Sequence, residues 1–285
     1  MGYAADALVL LQALADRSPL PRVRALHLPP PPAAGSLRGE FAALELDDGT
    51  LGLTYVLLDN TWTGLSQQLD RSALAGRDAL DVARGYASTD ALERTVGFAA
   101  VNALTRILFD RAGFAPPASG DSIGLLDPQP GETVGMIGYF APLVPHIIAS
   151  GARVLVVELR ADLAGETDGV RVTLDAAELA KCEKVLATGT LLLNDTLEPM
   201  LQHCRRAHRF ALVGPSVGCP PDPLFARGVT LLGGRWVADA AGYVQAITAG
   251  ASTGAFARKF ALTAAEYPGW GALLARMAGT RASTM

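Results

Sequence analysis

The chain has 285 residues, half of them hydrophobic, with a net charge of −4 and a pI of about 5.6. This length is enough for one large or two ordinary domains with a sizeable core. The mild acidity argues against a nucleic-acid-binding protein, and no apolar run approaches the roughly 20 residues of a membrane span. The first residues lack a signal-peptide pattern, so the cytoplasm is the expected location.

Cysteine and histidine usage gives no sign of a preformed metal site. The three cysteines, Cys182, Cys204 and Cys219, form no CxxC pair, and the four histidines form no HxH or HExxH motif. An odd cysteine count does not indicate a disulfide framework. A structural zinc site is therefore not expected.

The first 115 residues have the pattern of a small α+β domain. Asp90, with Glu93 three residues later, is typical of a helix start, and Gly113 is typical of the position after a helix end. The predicted elements are a helix over residues 1–16, a strand over Arg22–Leu28, a hairpin over Glu40–Leu58 and helices over Ala79–Ala87 and Asp90–Gly113.

A stretch rich in Pro, Gly, Ser and Asp, Pro116–Pro130, is the predicted linker. Beyond it, strand–turn–helix units repeat, which predicts a parallel sheet whose turns meet at one edge. The predicted strands are Thr133–Ile137, Arg153–Val157, Lys184–Ala187, Arg209–Val213 and Val229–Leu232. The turns after the last three are Thr188-Gly189-Thr190, Gly214-Pro215-Ser216 and Gly233-Gly234.

The first unit, Thr133–Arg160, is the clearest. Gly135 and Gly138 break the first strand, a helix is expected over Ala141–Ser150, and Glu158 ends the second strand. Glu158 follows Gly138 by about 20 residues, the spacing at which an acid meets a ribose in dinucleotide folds. The helix start could attract an anion. A modified loop is nevertheless favoured over NAD(P) binding, because a phosphate-binding turn needs small residues where Tyr139 and Phe140 stand.

Several polar residues have two readings. Glu158 is either a ligand contact or a solvated carboxylate paired with Arg153 or Arg160, with equal weight. In the run Asn194-Asp195-Thr196, we favour helix capping for Thr196 and both capping and ligand binding for Asn194. Ser216 lacks a GxSxG elbow, so a turn hydroxyl near a ligand is favoured over a nucleophile. Asn102 lies on a helix near its apolar face, where its amide needs a partner at a domain interface or on a ligand.

Five segments together resemble one family. They are GMIGYFAPLV, TGTLLLNDTLEPML, ALVGPSVGCPPDPLFARGVTLLGG, GLTYVL and ERTVGFAAVNAL. In this order they are similar to the putative heavy-metal chelation proteins. The resemblance implies an α/β fold, with a Rossmann-like parallel-sheet C-terminal domain and a smaller α+β N-terminal domain like that of enolase. The expected division is 1–115, linker 116–130 and 131–285, with a ligand site between the domains.

The resemblance also implies site residues. Asp195 stands where the family motif has a small residue such as Gly, so it adds a negative charge; with Glu158 it is a candidate metal ligand. The matching positions of the second domain are Gly135, Gly138, Tyr139, Phe140, Thr188, Gly189, Thr190, Asn194, Thr196, Gly214, Pro215 and Ser216. Those expected to face the interface from the first domain are Thr54, Tyr55, Glu93, Gly97 and Asn102.

Three functions agree with these features. The first is binding of a small anionic molecule, with a metal ion or metal chelate as the cofactor and a homo-oligomer as one form of the protein. The second is a synthase or transferase that makes or processes a metal-chelating cofactor or metallophore. The third is a nucleotide-dependent enzyme. No catalytic dyad is identifiable, which favours the first.

Overall fold

The computed structural model describes residues 2–32, 40–120, 123 and 125–282. Its first part contains a three-stranded antiparallel sheet in the order β1–β2–β3, formed by β1 (Val23–His27), β2 (Phe41–Leu46) and β3 (Leu51–Tyr55). The helices around it are α1 (Tyr3–Ala15), α2 (Thr61–Gln67), α3 (Ala79–Arg84) and α4 (Ala91–Arg111).

Local signals in this part form as predicted. The β2–β3 hairpin closes with the N–H of Leu46 donating to Thr50 O at 2.9 Å. The Asp90 carboxylate accepts from the N–H groups of Leu92 and Glu93 and so caps α4. Gly113 follows the helix with φ +61°, a left-handed conformation that glycine adopts at little cost.

Two glycines let α4 lie close to its neighbours. A β-carbon at Gly52 in β3 would stand 1.9 Å from Ala99 O of the helix. A β-carbon at Gly97 would stand 2.2 Å from the backbone nitrogen of Tyr86. No real β-carbon makes such contacts, so both positions require glycine for the observed packing.

The second part is built on eight strands in the order β11–β10–β9–β8–β4–β5–β7–β6. They are β4 (Thr133–Ile137), β5 (Arg153–Val157), β6 (Gly165–Thr167), β7 (Val170–Thr173), β8 (Lys184–Thr188), β9 (Arg209–Val213), β10 (Leu231–Val237) and β11 (Ala257–Thr263). Six strands, β4, β5 and β7–β10, are parallel, whereas β6 and β11 are antiparallel edge strands. The helices are α5 (Val144–Ile148), α6 (Leu197–His203), α7 (Asp222–Phe225), α8 (Ala240–Thr248) and α9 (Trp270–Ala282).

The predicted class is confirmed: a mixed α/β fold with a large, mostly parallel sheet and a smaller antiparallel one. The likeness of the first part to the enolase N-terminal domain and the domain boundaries stay predictions. Within the predicted linker, Ala118 forms an isolated bridge with Phe260, and Ser119 N donates to Lys259 O at 3.2 Å. This segment therefore runs along the free side of β11.

Two predictions in the second part were wrong. Gly233 and Gly234 do not form a turn, because β10 continues through them to Val237 while it pairs with β11. The helix predicted over Ala141–Ser150 is a 3₁₀ turn followed by only five α-helical residues, with Pro142 and Pro145 in the opening turns. Proline has no N–H, so this short helix offers little to an anion.

Along the described residues, no helix combines the length and the apolar character that crossing a membrane would require.

Gly97→Ala should lower the free energy of unfolding by about 1–3 kcal/mol, because the new methyl group would overlap the Tyr86 backbone. Gly271→Ala is the matched control, since a β-carbon there meets no atom within 4 Å and the residue lies in a helix. Urea unfolding of both variants measures the difference. Equal stability of the two would contradict the packing argument.

Candidate functional site

The first part of the chain lies over the carboxyl ends of the parallel strands. The Tyr86 hydroxyl donates to Leu192 O, after β8, at 2.6 Å. The Asn102 amide donates to Ser216 O, after β9, at 2.8 Å. Arg106 donates to Val237 O, at the end of β10, at 3.0 Å. Tyr86 and α4 therefore cover the segments that follow β8, β9 and β10.

The predicted turns are neighbours, as the parallel arrangement requires. A β-carbon at Gly138 would lie 3.1 Å from Thr188 Cγ2, so the turn after β4 touches the one after β8. A β-carbon at Gly214 would lie 3.6 Å from Gly189 N, so the turn after β8 touches the one after β9. Thr188 Oγ1 accepts from the hydroxyl of Thr190 at 3.2 Å. These turns form one continuous rim.

Glu158 ties the turn after β4, Gly138–Phe140 (the glycine turn), to the end of β5. Its Oε2 accepts from the Tyr139 N–H at 3.0 Å, and its Oε1 accepts from the Leu159 N–H at 2.7 Å. Arg160, one of the two predicted ion-pair partners, binds Asp162 instead at 2.6 Å. The carboxylate is half-buried and fixed by backbone amides, which leaves further lone pairs on both oxygens.

Tyr55, at the end of β3, brings a phenol near Glu158. Burial raises the pKa of Tyr55, the nearby negative charges of Glu40 and Glu158 act in the same direction, and together they bring this pKa to about 12. Burial also raises the pKa of Glu40. Two carboxylates, Glu40 just before β2 and Glu158 just after β5, therefore each lie within electrostatic range of the Tyr55 phenol. Sequence reasoning did not identify Glu40, because its position depends on how the sheets dock.

The other residues of the glycine turn differ in exposure. Tyr139 is 37 % exposed, the most accessible aromatic ring of the turn. Phe140 is half-buried, and its N–H lies 3.3 Å from the sulfur of Met136. Gly135 lies within β4, where a β-carbon would meet Cys182 Sγ at 3.1 Å. Gly135 therefore serves strand packing, three residues before Gly138.

Asn102 has found partners at the interface, one of the two roles expected for it. Its Nδ2 donates to Leu53 O at 2.7 Å as well as to Ser216 O. Its Oδ1 is buried and has no partner. Ser216 is only 2 % exposed, which suits a turn residue better than a nucleophile. Pro215, beside it, lines a small cavity with Asn102.

The run after β8 is held by its own side chains. Asn194 Oδ1 accepts from the Thr196 hydroxyl at 2.5 Å. Thr196 occupies the residue before α6, but its side chain makes no capping bond, so the predicted capping role was wrong. Asp195 has φ +55° and pairs with Arg94 of α4 at 2.5 Å, with its side chain 65 % exposed.

Cysteine chemistry does not supply a metal site here. In the described parts of the chain, no group of three or more His, Cys, Asp and Glu side chains is arranged to hold a metal ion. Burial raises the pKa of Cys182 to about 11 and those of Cys204 and Cys219 to about 12. The thiolate, which is the metal-binding form, is therefore scarce at neutral pH.

Glu158→Gln should lower the pKa of Tyr55, because it removes a negative charge that opposes ionisation of the phenol. NMR titration of ¹³Cζ-labelled tyrosine, with Tyr55→Phe to assign the signal, measures the shift. Asp162→Asn is the control, since that carboxylate is paired with Arg160. An unchanged pKa of Tyr55 in Glu158→Gln would contradict the electrostatic interaction between the two groups.

Comparison with known proteins agrees with this architecture. Two crystal structures of DUF364-family proteins of unknown function share the fold. The protein from Desulfitobacterium hafniense is 19% identical, with a TM-score of 0.64 over 92% of this chain and 99% of that one. The protein from Pyrococcus horikoshii is 18% identical, with a TM-score of 0.62 over 91% and 97%. None of the curated proteins matches the chain.

Two family models match the sequence itself. Residues 121–266 match DUF364 and residues 39–105 match DUF4213, and both models carry the description Putative heavy-metal chelation. The first match alone spans just over half of the chain, and the second covers the β2–β3 hairpin and most of α4. The chain therefore belongs to the Putative heavy-metal chelation family.

Proposed function

We propose that the protein binds a small chelating molecule together with its metal ion, in the cleft where Glu158 meets Tyr55 and Glu40. The observation that carries the proposal is that one carboxylate beside each sheet, Glu40 and Glu158, lies within electrostatic range of the Tyr55 phenol, next to the carboxyl edge of the large sheet. In α/β proteins with open parallel sheets, this edge is where ligands bind. The family description supports a role in metal chelation.

The donor set favours a metal that arrives already chelated. Carboxylate and phenol oxygens suit hard or borderline cations, whereas soft metals prefer thiolates. Glu158 keeps lone pairs beyond those used by the amides of Tyr139 and Leu159. Since the described residues provide no cluster of three ligands, the organic chelator supplies the remaining donors in this proposal.

The rim of turns suits the organic part of such a ligand. The exposed ring of Tyr139 offers a flat surface, and the hydroxyls of Thr188 and Thr190 offer hydrogen bonds. Gly138 leaves room beside Thr188, where a β-carbon would be crowded. In the same proposal, the turn residues Gly189, Gly214, Pro215 and Ser216 shape the rim, and Asn102 and Asn194 hold it in place.

Asp195 has a different part in this proposal. Its carboxylate is paired with Arg94, which also lies 3.4 Å from Leu193 O. We propose that Asp195 fixes the loop after β8 against α4 and does not bind the metal directly. Asp195→Asn therefore separates this role from that of Glu158.

Native mass spectrometry of the purified protein, before and after addition of Ni²⁺ with citrate, tests the proposal. The expected result is an excess mass that contains both metal and organic acid and disappears on denaturation. Glu158→Gln should reduce retention of the complex at least tenfold, because it removes the negative charge that faces the cation. Asp162→Asn and Asp195→Asn should retain it.

Three outcomes would count against the proposal. Equal retention by wild type and Glu158→Gln would exclude this site. Retention of bare Ni²⁺ without citrate would exclude the chelate as the ligand. An organic mass without metal would instead favour an enzyme that makes or processes a chelator.

A further inference from the structure

A groove of about 510 Å³ lies on the first part of the chain, between the first turns of α4 and the segment that precedes this helix. Its volume falls within the roughly 300–1,000 Å³ that is typical of small-molecule sites. The described residues that line it all lie between Leu69 and Val96. The groove is therefore separate from the proposed chelate site around Glu158.

The floor of the groove is apolar. Leu74, Val82 and Val96 line it, and each is only 4 or 5 % exposed. Leu69, which also lines it, is half-buried. A ligand with an apolar body gains free energy on such a floor, because contact removes apolar surface of both partners from water.

Close packing and hydrogen bonds hold the wall of the groove against α4. A β-carbon at Gly85 would stand 3.0 Å from Glu93 O, so the turn that begins at Gly85 packs directly on the start of the helix. Arg94 Nε donates to Ser88 O at 3.0 Å, and Arg94 also pairs with Asp195 after β8. The groove is therefore formed before any ligand binds.

Four charged side chains line the groove, and two of them are paired within the protein. Arg84 binds the Asp81 carboxylate and also donates to Gln12 Oε1 at 3.0 Å. The other two, Arg77 and Glu93, are exposed. No other described residue forms an ion pair or a side-chain hydrogen bond with either of them.

Glu93 does not carry out the capping role that its position suggests. A glutamate three residues after the N-cap residue accepts a hydrogen bond from the N–H of that residue in a capping box. Here the N-cap residue is Asp90, and its N–H donates to Ser88 Oγ at 3.1 Å. The Glu93 carboxylate is therefore available to a ligand in the groove.

We infer that this groove binds a small zwitterion with an apolar body, of the class of apolar amino acids and their short peptides. The carboxylate of the ligand pairs with the Arg77 guanidinium, whose planar geometry suits a bidentate contact. The ammonium group of the ligand pairs with Glu93. Its apolar side chain lies on Leu74, Val82 and Val96.

The two signs of charge distinguish a zwitterion from a simple anion or cation. An anion would pair with Arg77 and leave Glu93 without a countercharge, and a cation would do the reverse. Since Arg77 and Glu93 form no direct ion pair, a ligand that carries both charges can pair with each of them. An apolar amino acid or short peptide has these two charges at its ends and an apolar side chain between them.

Thermal unfolding of the full chain in L-leucine or L-leucyl-L-leucine tests the site. Wild type should gain melting temperature as either zwitterion is raised, by mass action on the folded state. N-acetyl-L-leucine lacks the ammonium group and L-leucinamide lacks the carboxylate. Each should need at least a tenfold higher concentration for the same gain, because one charge-assisted hydrogen bond is lost.

Variants of the two charged residues give the matching loss on the protein side. Glu93→Gln and Arg77→Gln should each need at least tenfold more zwitterion for the gain seen in wild type. Arg71→Gln and Glu183→Gln are the controls, since both residues are exposed and lie outside the described lining of the groove. The controls should keep the full gain.

The two probes also determine the size of the ligand. A gain with leucine would assign the groove to a free amino acid, and a gain with the dipeptide alone would assign it to a short peptide. No gain in wild type with either probe, or an equal gain with N-acetyl-L-leucine, would overturn the inference. So would the same gain in wild type and in Glu93→Gln or Arg77→Gln. No metal is added, so the result does not depend on the proposed chelate.

Discussion

The side chain of Asn102 is the link on which the geometry of the cleft depends. From the middle of α4 it donates one N–H to Leu53 O of the small sheet and the other to Ser216 O after β9 of the large one. Both bonds are buried, so loss of the amide would leave two carbonyl groups without partners at a cost of about 1–3 kcal/mol each. The position of the turns relative to β3 is set by this contact.

Charge along the carboxyl edge divides into two ends. Glu40 and Glu158 make one end acidic, whereas Arg235 and Arg258 make the other basic. Because the ends are four strands apart, each presents its own field to a small ligand. In our proposal the acidic end takes the cation of a chelate.

The sequence predicts the features that depend on interactions between residues close together in the chain. Asp90 and Gly113 bound α4, and the hydrophobic runs predict the parallel strands. It does not predict that β10 runs through Gly233 and Gly234, because pairing with a strand more than 20 residues later overrides the local turn preference. Glu158 was expected at a strand end, but the approach of Tyr55 and the pairing of Arg235 with Lys259 depend on docking and register.

Burial of the thiols decides how this chain can handle a metal. Cys182, Cys204 and Cys219 have pKa values raised to about 11 or 12, so a thiolate forms only at the cost of losing a proton in an apolar environment. In the proposed role, the metal is therefore held by oxygen donors, which distinguish metals less sharply than thiolates do. Selectivity therefore has to come from the shape and charge of the chelator. In the proposed cleft, the rim of turns contacts the chelator, and Glu158 interacts only with the charge of its metal.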